Sequence, residues 1–364
     1  MTQTPEVTRA QVLTALSQIQ DPDLHKDIVS LGFVPEESIN ICGDSISARI
    51  VLTTPACPVR EEMKSQAETL LLALPGIVRA EVEMDATVRS TNVGRGPKVI
   101  PGVRNVIAIA SNKGGVGKST VAVNLALSLR KFGARVGLLD ADITGPNIPT
   151  MLGLDVGFQA ETGLAITERY GIDVASLGFV LKRGMPVVWR GPMIGTGVRQ
   201  LMHDLPWAQD GELDYLVVDL PPGTSDASMS AAGEAPIAGA VIVTTPNAVS
   251  TEDAAKAVAM FEKLNVPVFG LIENMSYFMC PHCNERTEIF GHGGGEAMAE
   301  ELGIDFLGEI PLQADVRSAS DSGVPTVEAS PDSPVAQAFA AIAQRVAAKT
   351  SVQHFFAESA AASA

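Results

Sequence analysis

The chain has 364 residues, enough for two domains, and a 46% hydrophobic content that ensures a packed core. A formal net charge of −16 excludes a polyanionic partner held on a broad basic face, which needs clustered Lys and Arg. No run approaches the roughly 20 apolar residues of a membrane span and no signal pattern opens the chain, so we expect a cytoplasmic protein that binds neither nucleic acid nor membrane.

Residues 1–88 read as a small α+β unit. Thr8 is placed to cap a helix whose apolar positions Val12, Leu13, Leu16 and Ile19 recur at helical spacing, and Asp21-Pro22-Asp23 ends it. Strand-like runs at 28–34 and 45–52 follow, then a helix over 59–74 and a strand over 77–84. Four cysteines are too few for a disulfide framework in a chain this long, and a close pair points instead to metal or redox chemistry. Cys42 reads as structural. Cys57, just before a helix N-terminus, is either a thiolate of lowered pKa or a small buried core residue. Through "DPDL", "DIVSLGFV" and "TTPACP" the unit is similar to a small domain that recurs in iron-sulfur assembly proteins. Residues 89–104, broken by Gly and Pro, read as a linker whose basic charges are solvated.

From residue 105 strands and helices alternate, which predicts an α/β domain to residue 349 with a mostly parallel sheet covered on both faces. An Ala/Ser-rich tail, 350–364, is expected to fray. The apolar run 106–110 feeds Ser111, Asn112, Lys113, Gly114, Gly115, Val116, Gly117, Lys118, Ser119 and Thr120, and then a helix over 121–131. Backbone N–H groups from Gly114 to Thr120 suit a phosphate cradle, Lys118 suits the β and γ phosphates, and the Ser119 hydroxyl suits Mg²⁺. ATP and Mg²⁺ are therefore the expected cofactors. Asn112 stands where the plain P-loop pattern has its first glycine, and Lys113 is an additional lysine near the start of the loop.

A strand over 135–140 leads into Asp140-Ala141-Asp142, beside the phosphate loop if the ligand lies at the carboxyl ends of the strands. Turn acids that cap the next segment are the alternative. Short strands at 164–167 and 172–175, and a helix ending near 205, carry no chemistry that spacing reveals. The strand 215–219 ends in Asp219, a Walker B arrangement that holds the metal, and Gly223 in the following Pro-Pro-Gly can donate its N–H to a γ-phosphate.

Strands over 240–244 and 268–272, with a helix over 250–264 between them, lead to Asn274 and then to Cys280-Pro281-His282-Cys283. One CxxC supplies two thiolates, whereas a closed zinc or iron-sulfur site usually takes four ligands. A two-fold homodimer brings two such loops together around one [4Fe-4S] cluster; structural zinc and a redox-active dithiol are the alternatives. The glycines at 291–295 open another helix and either form a second anion turn or permit tight packing. A strand over 306–310, a short helix over 315–322 and a closing amphipathic helix over 336–346 complete the pattern.

The string KGGVGKST resembles the deviant Walker A of the MinD, ParA, ArsA and nitrogenase iron-protein class. That resemblance implies that Lys113 crosses a dimer interface to the partner's nucleotide, Asp142 orients the attacking water and Asp140 supports the Mg²⁺ shell. It also makes Asn274 the candidate for adenine recognition, with a loop-capping role as the alternative. Together with DADITGPN, DLPPGTSD, IENMSYFMCPHC, FGHGGG and the domain order, the chain resembles the Mrp/ApbC family of iron-sulfur carrier P-loop ATPases. The family implies an ATP-hydrolysing homodimer that holds a labile [4Fe-4S] cluster on Cys280 and Cys283 and passes it to apo iron-sulfur proteins, with assembly scaffold proteins as further partners. A ParA/MinD-type positioning switch and a nucleotide-regulated scaffold without a cluster are the competing readings.

Overall fold

The computed structural model describes residues 7–91, 99–143, 145–154, 163–180, 191–224, 226–280, 282–283 and 285–362. Thr8 caps α1 (Arg9–Leu16) with a reciprocal capping box to Gln11. A three-stranded sheet follows, with β2 (Ser45–Leu52) between β1 (Asn40–Cys42), antiparallel to it, and β3 (Arg79–Ala86), parallel to it. Ile46, Ala48, Ile50 and Leu52 alternate into a core shared with Met63, Ala67 and Leu71 of α2 (Arg60–Leu72). The strand expected over 28–34 is absent. The Asp27 carboxylate accepts from the N–H groups of Val29 and Ser30 and bends the chain into turns, while Ile28 and Phe33 stay buried.

The second domain is built on a nine-stranded sheet. In chain order its elements are β4 (Val103–Ala110), α3 (Lys118–Lys131), β5 (Val136–Asp140), α4 (Ile148–Met151), β6 (Thr167–Arg169) and β7 (Ile172–Ser176). Next come α5 (Gly191–His203), β8 (Leu213–Asp219), α6 (Asp226–Gly233), β9 (Ile237–Thr244), α7 (Ala248–Lys263), β10 (Val268–Met279) and β11 (Arg286–Thr287). The chain closes with α8 (Gly294–Leu302), β12 (Phe306–Leu312), α9 (Ala314–Ser322), α10 (Thr326–Ala329) and α11 (Pro334–Ala362). The strand order is β11-β10-β9-β4-β8-β5-β7-β6, with β12 also on β10; among the described strands of this sheet only β6 and β11 run antiparallel to their neighbours.

The central strands are apolar on both faces because helices cover both. Ile107 and Ile109 of β4 pack with Val121, Leu125 and Phe339 on one side, while Val106 and Ala108 pack with Val218, Ile242 and Phe261 on the other. The chain leaves β4 for β5 on one side and later crosses from β8 to β9 on the other, so β4 lies at the topological switch.

At both joints the described residues are bonded to their surroundings. The described flanks of the 89–104 segment are bonded to the domain: Arg104 pairs with Glu212 at 3.0 Å and Asp214 at 2.9 Å and donates to the Val88 carbonyl. Buried Asn105 accepts from the Thr91 N–H and donates to the Arg89 carbonyl. The tail is helical, α11 continuing far past 349, because alanine is the strongest helix former and aromatic side chains anchor the run. Ser351 bonds Thr53 at 2.6 Å, His354 Nδ1 donates to the Ser90 carbonyl at 2.8 Å, and Phe355 sits 6.5 Å from Phe33 under the Arg89 guanidinium. α11 also packs along α3 and β12, so one helix spans both domains.

Phe355→Ala is expected to lower unfolding free energy by about 1–2 kcal/mol, less than a fully buried Phe because this ring is partly exposed. Urea unfolding of the two proteins checks it.

Candidate functional site

The loop 111–117 leaves the end of β4 at the middle of the sheet and enters α3, whose N-cap is Gly117. Gly115 and Gly117 take φ values of 83° and 85°, the left-handed region that lets successive N–H groups curl inward. The first N–H groups of α3 add unpaired donors and the positive end of the helix dipole.

Lys118, only 6% exposed, directs its Nζ to Asp219 Oδ1 at 2.6 Å and lies 3.9 Å from Asp142 Oδ2. Ser119 Oγ donates to Asp219 Oδ2 at 2.6 Å. Asp140 pairs in register with Asp219 across β5 and β8; its Oδ1 accepts the Asp142 N–H at 3.2 Å and its Oδ2 the Ser176 hydroxyl at 3.1 Å. Burial pushes the Asp140 carboxyl well above the usual carboxylate range, and the Asp219 charge pushes it further while Lys118 opposes. Burial also raises Asp219, against the attraction and hydrogen bond of Lys118 and the hydrogen bond of Ser119. Three buried carboxyls thus face one ammonium, a donor set that fits a divalent cation beside Ser119.

Gly223, at φ 92°, donates its N–H to the Ser111 carbonyl at 2.8 Å, so this donor is engaged by the loop in this conformation. Asn112 has a role the sequence did not reveal: its amide donates to Asp253 Oδ1 at 2.9 Å, on the first half of α7. Hydrogen bonds from Lys256 and Asn112 lower the Asp253 carboxyl, with a smaller contribution from the charge of Lys113. Lys113 is half-buried, and its carbonyl accepts the Ser111 hydroxyl at 2.9 Å. Ser176, holding Asp140, was also missed, since a strand-end serine carries no signal of its own.

Asn274, 7% exposed, donates from Nδ2 to the Val116 carbonyl at 2.8 Å, which places it against the phosphate loop. Five residues further, β10 ends at Met279 and delivers Cys280, where the N–H donates to the Glu285 carbonyl at 3.0 Å and closes a hairpin with β11. The N–H groups of His282 and Cys283 and the Cys283 thiol lower the Cys280 thiol. Cys283 is exposed; Pro281 and Asn284 lie outside the described residues. The pair is on a hairpin and not at a helix N-terminus, unlike the redox-pair geometry.

Among the described residues the one group of three or more candidate metal ligands is Glu273, His292 and Glu309. Arg286 already bridges His292 and Glu309, at 3.0 and 3.4 Å. Buried Glu273 accepts the Ser276 hydroxyl and the Gly295 N–H, each at 2.6 Å, so the glycine turn at 291–295 receives its anion from within the chain. Cys57 is not a lowered-pKa thiol: burial pushes it up, and Asp21 and Asp23 act in the same direction against the Val59 N–H.

Sheet order, loop and strand-end carboxylates define a P-loop NTPase of the MinD/ParA kind. A family model described as ParA, NUBPL iron-transfer P-loop NTPase, matches residues 102–347, and one described as iron-sulfur cluster assembly protein matches residues 9–84. An iron-sulfur cluster carrier protein of Synechocystis sp. is 44% identical and covers 95% of this chain and 99% of its own. One from Deinococcus radiodurans is also 44% identical, over 94% of this chain and 95% of its own. Among solved structures, a nucleotide-binding protein in complex with ADP from Archaeoglobus fulgidus aligns at TM-score 0.53 and 39% identity, over 62% of this chain and 88% of that one. The cell division ATPase MinD of Pyrococcus furiosus, at TM-score 0.51 and 23% identity over 66% of this chain and 98% of its own, shares the fold. The chain belongs to the iron-sulfur cluster carrier family of NUBPL-type P-loop NTPases.

The raised Asp140 pKa has a definite sign. Between the ordinary carboxylate value and the elevated folded value, the folded state keeps a proton that the unfolded state has lost, so this group makes stability fall as pH rises through that window. Asp140→Asn is expected to stabilise the nucleotide-free protein by about 1 kcal/mol at neutral pH and to gain less at pH 4. Thermal melts at the two pH values check it.

Proposed function

We propose that this chain is an ATP-binding and ATP-hydrolysing carrier that holds a labile [4Fe-4S] cluster between two copies of itself and transfers it to apo-proteins. One observation carries the reading. A nucleotide-type loop shares its domain with a two-cysteine hairpin, Cys280 half-buried and Cys283 exposed, to which no third candidate ligand is joined among the described residues. Two thiolates are half of an iron-sulfur ligand set, and a two-fold axis supplies the other half.

In the proposed hydrolysis the N–H groups of Gly114, Gly115, Val116, Gly117, Lys118, Ser119 and Thr120 cradle the phosphates. Ser119 and Asp219 hold Mg²⁺, with Asp140 behind them, and that ion supplies charge neutralisation. Lys118 then exchanges Asp219 for the β and γ phosphates, and Asp142 orients the attacking water. Lys113 of each protomer reaches across to the nucleotide of the other. Gly223 turns its N–H from the Ser111 carbonyl to the γ-phosphate, a competition that makes the segment after β8 sensitive to nucleotide. Such chemistry needs mainly positioning and charge. The −16 net charge opposes DNA, which speaks against a DNA-bound positioning switch. Apo iron-sulfur proteins and assembly scaffold proteins in the cytoplasm are the proposed partners.

Anaerobic reconstitution with iron and sulfide is expected to load about one cluster per wild-type dimer and none on Cys280→Ala/Cys283→Ala. Equal loading of the two would end the carrier reading. Lys118→Ala is expected to lower ATP turnover by at least about 100-fold; wild-type turnover in that variant would remove the enzymatic part.

A further inference from the structure

The phosphate loop and the cysteine pair are joined by a single strand. β10 touches the loop at Asn274 and ends one residue before Cys280. The contact is unusually close: a Cβ added to Gly117 would stand 2.2 Å from Asn274 Nδ2, so the left-handed glycine is what admits the amide against the loop backbone. The Val116 carbonyl that accepts this amide belongs to the same peptide unit as the Gly117 N–H. A change in how Gly117 is held by phosphate therefore alters the acceptor that Asn274 reads.

The strand is not regular beyond that point. Met275 takes φ 56°, a left-handed conformation rare for a residue with a side chain, and the register against β12 shifts between Asn274 and Phe278. On either side the chain is fixed. Buried Glu273 is held by Ser276 and by the Gly295 N–H. Arg286 stacks over Tyr277 at 4.0 Å and pairs with Glu309 of β12. The step at Met275 is braced within the segment, by Ser276 on Glu273 and by Tyr277 under Arg286, so a shift at Asn274 is passed along the strand to the hairpin rather than absorbed.

We propose that Asn274 is a positioning residue and that residues 274–279 are the joint through which nucleotide at the phosphate loop sets the conformation of the Cys280–Cys283 hairpin. The inference rests on the reading that the loop binds nucleotide and the hairpin carries the cluster, and it adds the route between them within one chain. By linkage, a hairpin held in one conformation alters nucleotide affinity in return.

The test is amide hydrogen exchange on the metal-free full chain, with and without a saturating non-hydrolysable ATP analogue and Mg²⁺. Peptides covering residues 111–120 report occupancy of the loop, and peptides covering 276–288 report the hairpin. In wild type the analogue protects the first set and slows the second by about fivefold, the low end of coupling between sites. In Asn274→Leu, which keeps the size of the side chain but not its donor, the ratio of hairpin slowing to loop protection falls by at least about fivefold. Met275→Gly, which takes the left-handed conformation without strain, keeps the amide and weakens the hairpin response. A ratio of hairpin slowing to loop protection in Asn274→Leu equal to that of wild type overturns the proposal, as does a wild-type hairpin that ignores a protected loop. Cluster loading plays no part in this readout, so a protein that fails to bind iron but shows the coupling separates the two readings.

Discussion

The arrangement of the second domain turns on one buried ammonium. Lys118 stands among Asp140, Asp142 and Asp219, all 8% exposed or less, and satisfies Asp219 directly. Burial of ionised carboxyls is tolerated only where charge is balanced, and one lysine does not balance three acids. Burial first, and the Asp219 charge second, raise the Asp140 carboxyl. The sheet makes the cluster of charge unavoidable: β4, β5 and β8 are adjacent, and their carboxyl ends bring the loop and both strand-end acids together.

The same sheet extends this centre outward in two directions. On one side β10 runs from the loop to the cysteine hairpin. On the other face α11 lies along α3, the helix that follows the loop, and ends against Thr53, Ser90 and Phe33. The small domain is therefore bonded both to the linker flank and to the helix that packs behind the nucleotide site. Cys57 is half-buried beside this joint, its thiol pushed toward the neutral form chiefly by burial.

What the sequence made legible follows from how local each signal is. The phosphate loop, Asp140 and Asp219 were readable because a strand, a glycine turn and a carboxylate at a strand end are local patterns, and parallel strands gather such ends. The helix at Thr8 and strand β2 were readable for the same reason, through capping and alternation. Contacts between distant segments left no such trace. Nothing near Asn112 announces Asp253, and nothing near Ser176 announces Asp140. Composition misled at the tail, where alanine was read as disorder although it favours helix. The 28–34 run misled too, since its apolar residues are core residues on turns that Asp27 sets. Asn274 likewise meets Val116 across 158 residues, a contact that no local pattern announces.

Lability in a carrier can arise from weak ligands or from divided ones, and the hairpin favours division. Backbone donors lower the Cys280 thiol, which suits the thiolate that the proposed ligation needs. A site assembled from two such pairs is lost when the pairs separate, whatever the strength of each bond. Control then requires only that the hairpins be turned relative to each other, a motion of backbone rather than of chemistry. On the proposed reading β10 is a short path between the two sites, since one strand carries both Asn274 and the start of the hairpin. On the proposed reading, nucleotide controls release through geometry and leaves the sulfur ligands themselves unchanged.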